Sequence, residues 1–229
     1  EDIWNSIYSY VSEANPNGGS FTCDSIKSED FYKNFDVKSI IPYNKAIKKL
    51  LNDSVSILQP VKSTIGIENN IIHFQRTELI DEILNSINSS QITIITGKPG
   101  TGKTAAIKDL LNKNYSNANV LVFRADQFNE PTLANVFTQL GINESISDIF
   151  SSISLISDKI IFIDSLEKLL ESDPDCAFSQ FMTMIKTFPD IKVVLASRKY
   201  ALDLISIKFN ISFYNSQIIE IPLLDDDNL

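Results

Sequence analysis

The chain has 229 residues, of which 43% are hydrophobic and 21% are charged, and its formal net charge is -9. This length and composition suit a globular protein of one domain, or of one domain with a small appendage, and they argue against a disordered or fibrous chain. The net negative charge argues against binding of a nucleic-acid phosphate backbone as the main role, so a nucleic-acid partner is not indicated.

The cysteines and the lack of long apolar runs bear on the compartment. Cys23 and Cys176 lie far apart and belong to no paired or metal-binding spacing, which argues against a disulfide scaffold or a structural zinc site. No apolar run approaches the roughly 18 residues of a membrane-spanning helix, so no membrane partner is expected. There is no secretory signal and the chain opens at Glu1, so we expect it to be part of a longer, cytoplasmic protein.

Residues 1–70 are predicted to form a small helical region that packs on the rest of the chain through its apolar face. A first helix is indicated by apolar residues at helical spacing, namely Ile3, Trp4, Ile7, Tyr8 and Val11. A second short helix is predicted around Phe31 and Phe35, and a third from about residue 43 to residue 58, closed by Pro60.

The remainder, residues 71–229, is predicted to alternate strands with helices. Short apolar or β-branched runs are predicted as strands at Gln91–Thr96, Asn119–Phe123, Lys159–Ile163, Ile191–Ala196 and Gln217–Ile221. Helices are predicted around 79–87, from the glycine loop to Leu111, after Pro131, around 146–156 and around 178–188. This alternation indicates an α/β fold with a five-stranded, mainly parallel sheet.

A glycine-rich loop follows the first of these strands. The residues from Gly97 to Thr104 match the pattern G-x-x-x-x-G-K-[ST], and three of the seven glycines of the chain lie in it. Glycines let successive backbone N–H groups turn toward phosphate oxygens, and the following helix adds its positive dipole end. Lys103 is predicted to neutralise the β- and γ-phosphates, and Thr104 to offer its hydroxyl to Mg²⁺.

The strand Lys159–Ile163 leads into Asp164, whose carboxylate is predicted to hold Mg²⁺ at the carboxyl edge of the sheet. Ser165 follows, where many ATPases with fast turnover have a glutamate that activates the attacking water. Glu167 is the nearest carboxylate. Two interpretations stay open for Glu167: it orients the water, or it is a surface carboxylate in the first turn of a helix.

Two arginines and one histidine flank these motifs. Arg198 ends the strand that begins near Ile191. It is predicted either to contact the γ-phosphate, or to form a salt bridge or remain solvated at the strand end. Arg76 lies just before the first helix of the alternating region. His73 is the only histidine, and a structural role is expected for it rather than a catalytic one.

These motifs together resemble the STAND class of P-loop NTPases, which includes the NACHT and NB-ARC switch ATPases and bacterial antiphage sensors. The resemblance rests on the segments Phe74–Arg76, Gly97–Thr104, Ile161–Glu167 and Ala196–Arg198. It implies an ASCE/AAA-like sheet in which one strand separates the P-loop strand from the Asp164 strand. It also implies ATP or ADP with Mg²⁺ as cofactors, and a parent protein with an N-terminal effector and a C-terminal sensor that self-associates. NACHT proteins carry a further acidic residue where Lys168 stands.

The resemblance and the motifs define three sets of candidate site residues. The catalytic set is Lys103, Asp164, Glu167 and Arg198. The cofactor-binding set is Arg76, Gly97, Lys98, Pro99, Gly100, Thr101, Gly102, Lys103, Thr104 and Ala105. The metal-binding set is Thr104 and Asp164.

Two functions from different classes fit these residues. The first is a regulatory switch, in which a weak ATPase hydrolyses ATP slowly and the bound nucleotide controls oligomerisation and signalling, for example in antiviral defence. The second is an AAA-type or origin-recognition-like ATPase with steady turnover on a protein or DNA substrate. Ser165, the acidic balance and Arg198 favour the switch. A small-molecule phosphotransferase would need an acceptor site or a lid, and the sequence contains no segment typical of either.

Overall fold

The computed structural model describes residues 44–62, 64–65, 72–73, 76–114, 119–154, 159–211 and 216–223, together with positions 5, 8, 9 and 12. Those four single positions are helical, in the segment where the first helix is predicted. The other predictions for the N-terminal segment, including those for Trp4, Cys23, Phe31 and Phe35, lie outside the described residues. The chain divides into two compact units, Glu1–Ile41 and Pro42–Leu229.

The second unit opens with a helix and a short antiparallel ribbon. Helix α1 spans Asn44–Leu58, and the strands β1 (Thr64–Ile65) and β2 (Ile72–His73) pair with each other. The sequence predicts the helix from its apolar spacing. It does not predict the ribbon, because strands of two residues are too short to show an alternating pattern.

Five further strands form one sheet, and all of its neighbouring pairs are parallel. They are β3 (Ile92–Gly97), β4 (Asn119–Arg124), β5 (Lys159–Asp164), β6 (Lys192–Arg198) and β7 (Ser216–Glu220). Their order across the sheet is β4-β5-β6-β3-β7. Strand β6 therefore separates the P-loop strand β3 from the Asp164 strand β5, as the resemblance implies, and the predicted α/β class with five strands is confirmed.

Among the described residues, six helices accompany these strands, and all but the last lie in segments where the sequence predicts a helix. They are α2 (Thr77–Ser89), α3 (Lys103–Asn114), α4 (Leu133–Gln139), α5 (Ile146–Ser154), α6 (Ala177–Ile185) and α7 (Lys199–Lys208). Two 3₁₀ turns, Ala125–Phe128 and Leu166–Leu169, follow β4 and β5. None of the described helices is long and apolar enough to cross a membrane.

Alternating side chains of the sheet enter two hydrophobic clusters, one on each face. Ile94 packs in the cluster that holds most of the buried phenylalanines, including Phe128 and Phe178, whereas Ile95 and Phe162 pack in the cluster formed with α2 and α3. Burying one such side chain contributes about 1.5–3 kcal/mol to folding. The sheet is thus covered on both faces, which is the usual arrangement of a parallel sheet.

Helix α1 belongs to the same core as the sheet. Its residues Ala46, Ile47 and Leu50 are buried in the larger cluster, and the Ser54 hydroxyl accepts a hydrogen bond of 2.7 Å from the backbone N–H of Val122 on the edge strand β4. The compact unit that contains the sheet therefore includes α1. The division of the protein into a helical region 1–70 and an NTPase domain 71–229 stays a prediction.

Candidate nucleotide-binding site

A cleft of about 400 Å³ opens at the carboxyl edge of the sheet, where the loops after β3, β5 and β6 meet. Its walls include the following predicted site residues: Pro99, Gly100, Gly102, Lys103, Thr104, Ala105, Asp164, Glu167 and Arg198. Ligands of open α/β sheets collect at this edge because the strands there direct several loops toward one point.

Two features of the glycine loop need glycine itself. Gly100 and Gly102 have φ values of +81° and +72°, in the left-handed region that side chains disfavour. A Cβ atom on Gly97 would lie 2.7 Å from the Ile221 carbonyl oxygen and 2.9 Å from Thr101 Oγ1. The loop therefore curls tightly before helix α3 begins at Lys103, which leaves its N-terminal amides available for an anion.

Lys103 lies across the mouth of this loop. Its Nζ donates hydrogen bonds of 3.0 Å to the carbonyl oxygens of Gly97 and Lys98. Burial lowers the pKa of Lys103, and the nearby Glu167 and Asp164 carboxylates partly offset this effect. An ammonium has three N–H donors, so two hold the side chain against the loop and the third can bind a phosphate oxygen.

Thr104 and Asp164 form a pair of oxygen ligands suited to Mg²⁺. The Thr104 hydroxyl donates a hydrogen bond of 3.0 Å to Asp164 Oδ2, and burial is the main cause that raises the pKa of Asp164. Mg²⁺ commonly uses one or two carboxylates together with waters and substrate phosphates. The hydroxyl and the carboxylate therefore fit a Mg²⁺ ion that also binds water and phosphate oxygens.

Ser165 and Glu167 lie in the segment that follows β5, and both line the cleft. Ser165 has φ 64° and ψ 49°, a left-handed conformation that turns the chain directly from β5 into the 3₁₀ turn Leu166–Leu169. Glu167 lies on this turn rather than on the predicted α-helix, and its side chain is only 13% exposed. It lines the cleft, so it is not a solvated surface carboxylate.

Arg198 holds the carboxylate of Glu167. Its Nε lies 2.8 Å from Glu167 Oε1, and its backbone N–H donates a hydrogen bond of 3.2 Å to Oε2. The Arg198 side chain is 45% exposed and lines the cleft. Arg198 thus lines the cleft and forms a salt bridge, while its contact with a γ-phosphate stays a prediction.

Arg76 contacts the backbone of the glycine loop, although it is not one of the residues that line the cleft. Its Nη1 donates a hydrogen bond to the Gly102 carbonyl and its Nη2 to the Thr101 carbonyl, each at 2.9 Å. Burial lowers the pKa of Arg76, with Asp109 acting in the opposite direction. The contact that the structure gives this predicted cofactor-binding residue is therefore with the loop backbone.

Two residues of the cleft were not predicted. Val61 and Lys62, which follow α1, line it, and the Lys108 ammonium on α3 donates to the Val61 carbonyl at 2.7 Å. This segment contains no recognisable motif. Its contact with the P-loop helix is made by the Val61 backbone carbonyl, and a backbone contact leaves no mark on the sequence. The predicted His73 is described only through its backbone in β2.

Comparison with known proteins identifies the class of this site. The family model described as "ATPase family associated with various cellular activities (AAA)" matches residues 93–211, more than half of the 229-residue chain. The matched range contains Lys103, Asp164 and Arg198. No curated protein matches the chain.

Several solved structures are similar to this chain at low sequence identity, and the first of those named here shares its fold. The Walker-type ATPase paby2304 of Pyrococcus abyssi is 13% identical with a TM-score of 0.52, over 68% of this chain and 55% of that chain. A DNA replication initiation factor is 19% identical with a TM-score of 0.47, over 66% of this chain and 46% of that chain. AMPPCP-bound DnaA from Aquifex aeolicus is 18% identical with a TM-score of 0.45, over 63% and 44%. The chain thus spans about half the length of these structures.

Proposed function

This chain belongs to the AAA family of ATPases, and from that premise we propose that it is a nucleotide-controlled switch of the STAND kind. The family implies a nucleotide-binding ATPase domain. The switch is the finer proposal, in which ATP and Mg²⁺ bind, hydrolysis is slow, and the nucleotide state controls self-association of a longer signalling protein. The observation that carries it is the engagement of Glu167 by Arg198 beside a serine at the position after Asp164.

The proposed binding roles follow from the loop and its partners. The amides at the start of α3 would bind phosphate oxygens, and Lys103 would neutralise charge on the β- and γ-phosphates. Thr104 and Asp164 would hold Mg²⁺, which supplies charge neutralisation on the phosphates when bound. Residues 98–101 and Ala105 would complete the phosphate-binding wall.

Slow hydrolysis is proposed because Glu167, the carboxylate of the cleft best placed to orient water, is held by Arg198. Phosphoryl transfer to water requires a group that positions the nucleophile, and the Ser165 hydroxyl is a weak base. Glu167 is the carboxylate that could act, but both of its oxygens bind Arg198. The Arg198 guanidinium cannot take a proton from water because it has N–H donors only and no acceptor.

The same pair supports a role for the nucleotide as a signal. A guanidinium binds phosphate and carboxylate with the same planar fork, so a γ-phosphate in the cleft would compete with Glu167 for Arg198. We propose that ATP, unlike ADP, draws the Arg198 guanidinium toward the γ-phosphate, while the Arg198 backbone N–H keeps its hydrogen bond to Glu167 Oε2. The change would be transmitted to α7, which begins at Lys199, directly after Arg198.

The proposal extends to the protein as a whole. Residues 1–70 are proposed as a helical region and residues 71–229 as the NTPase domain of a cytoplasmic protein that self-associates, with antiviral defence as one setting. Membership in the family supports nucleotide binding for this chain. Nucleic acid is not indicated as a partner, given the formal charge of -9.

Family membership also favours the second candidate function, an ATPase with steady turnover on a protein or DNA substrate. Glu167 lies in the cleft together with Asp164, so a rearrangement that frees its carboxylate would supply a water-positioning group. This candidate predicts measurable turnover, whereas the switch predicts very little.

Phosphate release at saturating ATP and Mg²⁺ separates the two candidates. We expect the wild-type chain to turn over well below roughly 1 s⁻¹, the low end of typical enzymes. The Lys103→Ala variant sets the background from contaminating ATPases. Steady turnover near or above about 1 s⁻¹, absent from the Lys103→Ala variant, would overturn the switch and establish the alternative.

A further inference from the structure

The Arg76 guanidinium contacts two consecutive peptide groups of the glycine loop. Its two terminal nitrogens each donate a hydrogen bond of 2.9 Å, one to the Thr101 carbonyl and one to the Gly102 carbonyl. The donor lies at the start of α2 and the acceptors lie just before α3, more than twenty residues along the chain. The contact therefore joins two separate elements of the fold.

The geometry of the peptide bond gives this contact a consequence on the opposite side of the loop. The described chain contains no cis peptide bond, and in a trans peptide the C=O and the following N–H point in opposite directions. Because the carbonyls of Thr101 and Gly102 face Arg76, the N–H groups of Gly102 and Lys103 face away from it. Gly102 and Lys103 line the cleft.

Gly102 is the residue that makes this approach possible. A Cβ atom at this position would lie 2.8 Å from one terminal nitrogen of Arg76 and 3.0 Å from the other. Its φ of +72° is a second reason for glycine. The glycine that the motif requires thus serves the arginine contact as well as the turn of the loop.

The positive charge of Arg76 also favours phosphate binding by these N–H groups. A cation that binds a carbonyl oxygen polarises the peptide group, and this makes its N–H a stronger donor. Asp109 on α3 is the acidic side chain that interacts with Arg76. A lysine could supply the charge but could not hold two carbonyls with one planar fork.

We infer that Arg76 is a positioning residue for the phosphate-binding amides. It holds the Thr101 and Gly102 carbonyls from behind, so that the N–H groups of Gly102 and Lys103 are oriented and polarised toward the bound phosphates. This inference rests on the proposed nucleotide binding at the loop and adds a residue that acts on the nucleotide through the backbone rather than by direct contact.

The test compares Arg76→Lys and Arg76→Ala with the wild type, with Lys49→Ala as a control. Lys49 is a cation paired with Asp53 on α1. ADP affinity is measured by calorimetry, and the amide resonances of Gly102 and Lys103 are measured by NMR without nucleotide. We expect both Arg76 variants to lose about tenfold or more in ADP affinity and to shift both amide resonances, while Lys49→Ala changes neither. Melting temperatures establish that each variant is folded, and Arg76→Lys decides the matter if Arg76→Ala does not fold.

Two results would overturn the inference. Wild-type ADP affinity in Arg76→Lys would show that the charge alone suffices and that the fork has no role. Unchanged Gly102 and Lys103 resonances in a folded Arg76 variant would show that the guanidinium does not orient these amides. The resonances are recorded without ligand, so they test the positioning role even if the wild-type chain fails to bind ADP, which would refute the proposed function instead.

Discussion

Arg198 binds Glu167 through both its side chain and its backbone, with Nε 2.8 Å from Oε1 and the backbone N–H 3.2 Å from Oε2. The pair joins the turn after β5 to the end of β6, two neighbouring strands of the sheet. The two residues that the sequence suggests for sensing and for hydrolysis are therefore engaged with each other, and substituting either one should change a different step.

Replacing Glu167 by glutamine should lower the slow phosphate release about tenfold or more. The amide keeps the size of the side chain but cannot accept a proton from water, and positioned acid–base groups contribute at least this much. The rate is measured in a single turnover with radiolabelled ATP, and nucleotide affinity is measured in parallel as the control. An unchanged rate would leave Glu167 without a role in orienting water.

Replacing Arg198 by alanine should reduce the preference for ATP over ADP more than it reduces binding of ADP. The guanidinium is placed to contact a γ-phosphate, which ADP lacks, whereas Lys103 and the loop bind both nucleotides. Arg124→Ala is the matched control, because Arg124 is an exposed strand-end arginine that pairs with Asp126. If the affinity ratio of ATP to ADP is the same in Arg198→Ala and in the wild type, Arg198 does not sense the γ-phosphate.

Replacing Lys103 by alanine should weaken ATP binding by about tenfold to a hundredfold. The ammonium makes a charge-assisted contact with phosphate, worth about 1.5–3 kcal/mol. Fluorescence anisotropy of a labelled ATP analogue measures the affinity, and Lys49→Ala again serves as the control for the loss of one positive charge. Equal affinities for Lys103→Ala and the wild type would place the nucleotide elsewhere.

Replacing Asp164 by asparagine should raise the melting temperature near neutral pH while it reduces the dependence of nucleotide binding on Mg²⁺. Burial raises the pKa of Asp164 above its ordinary value of 3.8. A carboxyl with a higher pKa in the folded protein favours folding when protonated, and this contribution is lost as the pH rises through the folded pKa. The neutral amide avoids that loss, so its advantage should shrink as the pH falls through the pKa of Asp164.

Thermal unfolding, measured from neutral pH down through the pKa of Asp164, checks the predicted change in melting temperature. Asp53→Asn is the control, because Asp53 forms an ion pair with Lys49, and its loss is expected not to raise the melting temperature. Nucleotide affinity with and without Mg²⁺ gives the second measurement. A melting temperature of Asp164→Asn below that of the wild type at neutral pH would contradict the prediction.

The sheet and the glycine loop are predictable from the sequence because both depend on local patterns. Strands such as Lys159–Asp164 are continuous apolar runs, which is typical of parallel strands that are buried on both faces. The loop from Gly97 to Thr104 is specified by spacing alone, since the left-handed conformations at Gly100 and Gly102 require glycine at those positions. Local pattern and tertiary fold therefore agree at these elements.

The partners of the charged side chains are not predictable in the same way. Glu167 and Arg198 are 31 positions apart, and Arg76 is 26 positions from Gly102. Each pair forms only because β6 lies between β3 and β5 and α2 begins beside the loop, which are long-range consequences of the strand order. The sequence shows that an arginine ends a strand. It does not show whether that arginine contacts a carboxylate, a carbonyl or a phosphate.

The packing of α1 has a practical consequence for shortened forms of the protein. A chain cut to begin at residue 71, where the sequence motifs begin, would lack Ser54, and the Val122 amide on the edge of the sheet would lose the hydroxyl that it donates to. The apolar side chains of the larger cluster that pack against Ala46, Ile47 and Leu50 would also become exposed to solvent. An open edge beside exposed apolar side chains invites strand pairing between molecules. Clustering of such a fragment would then arise from its missing helix, whatever nucleotide is present.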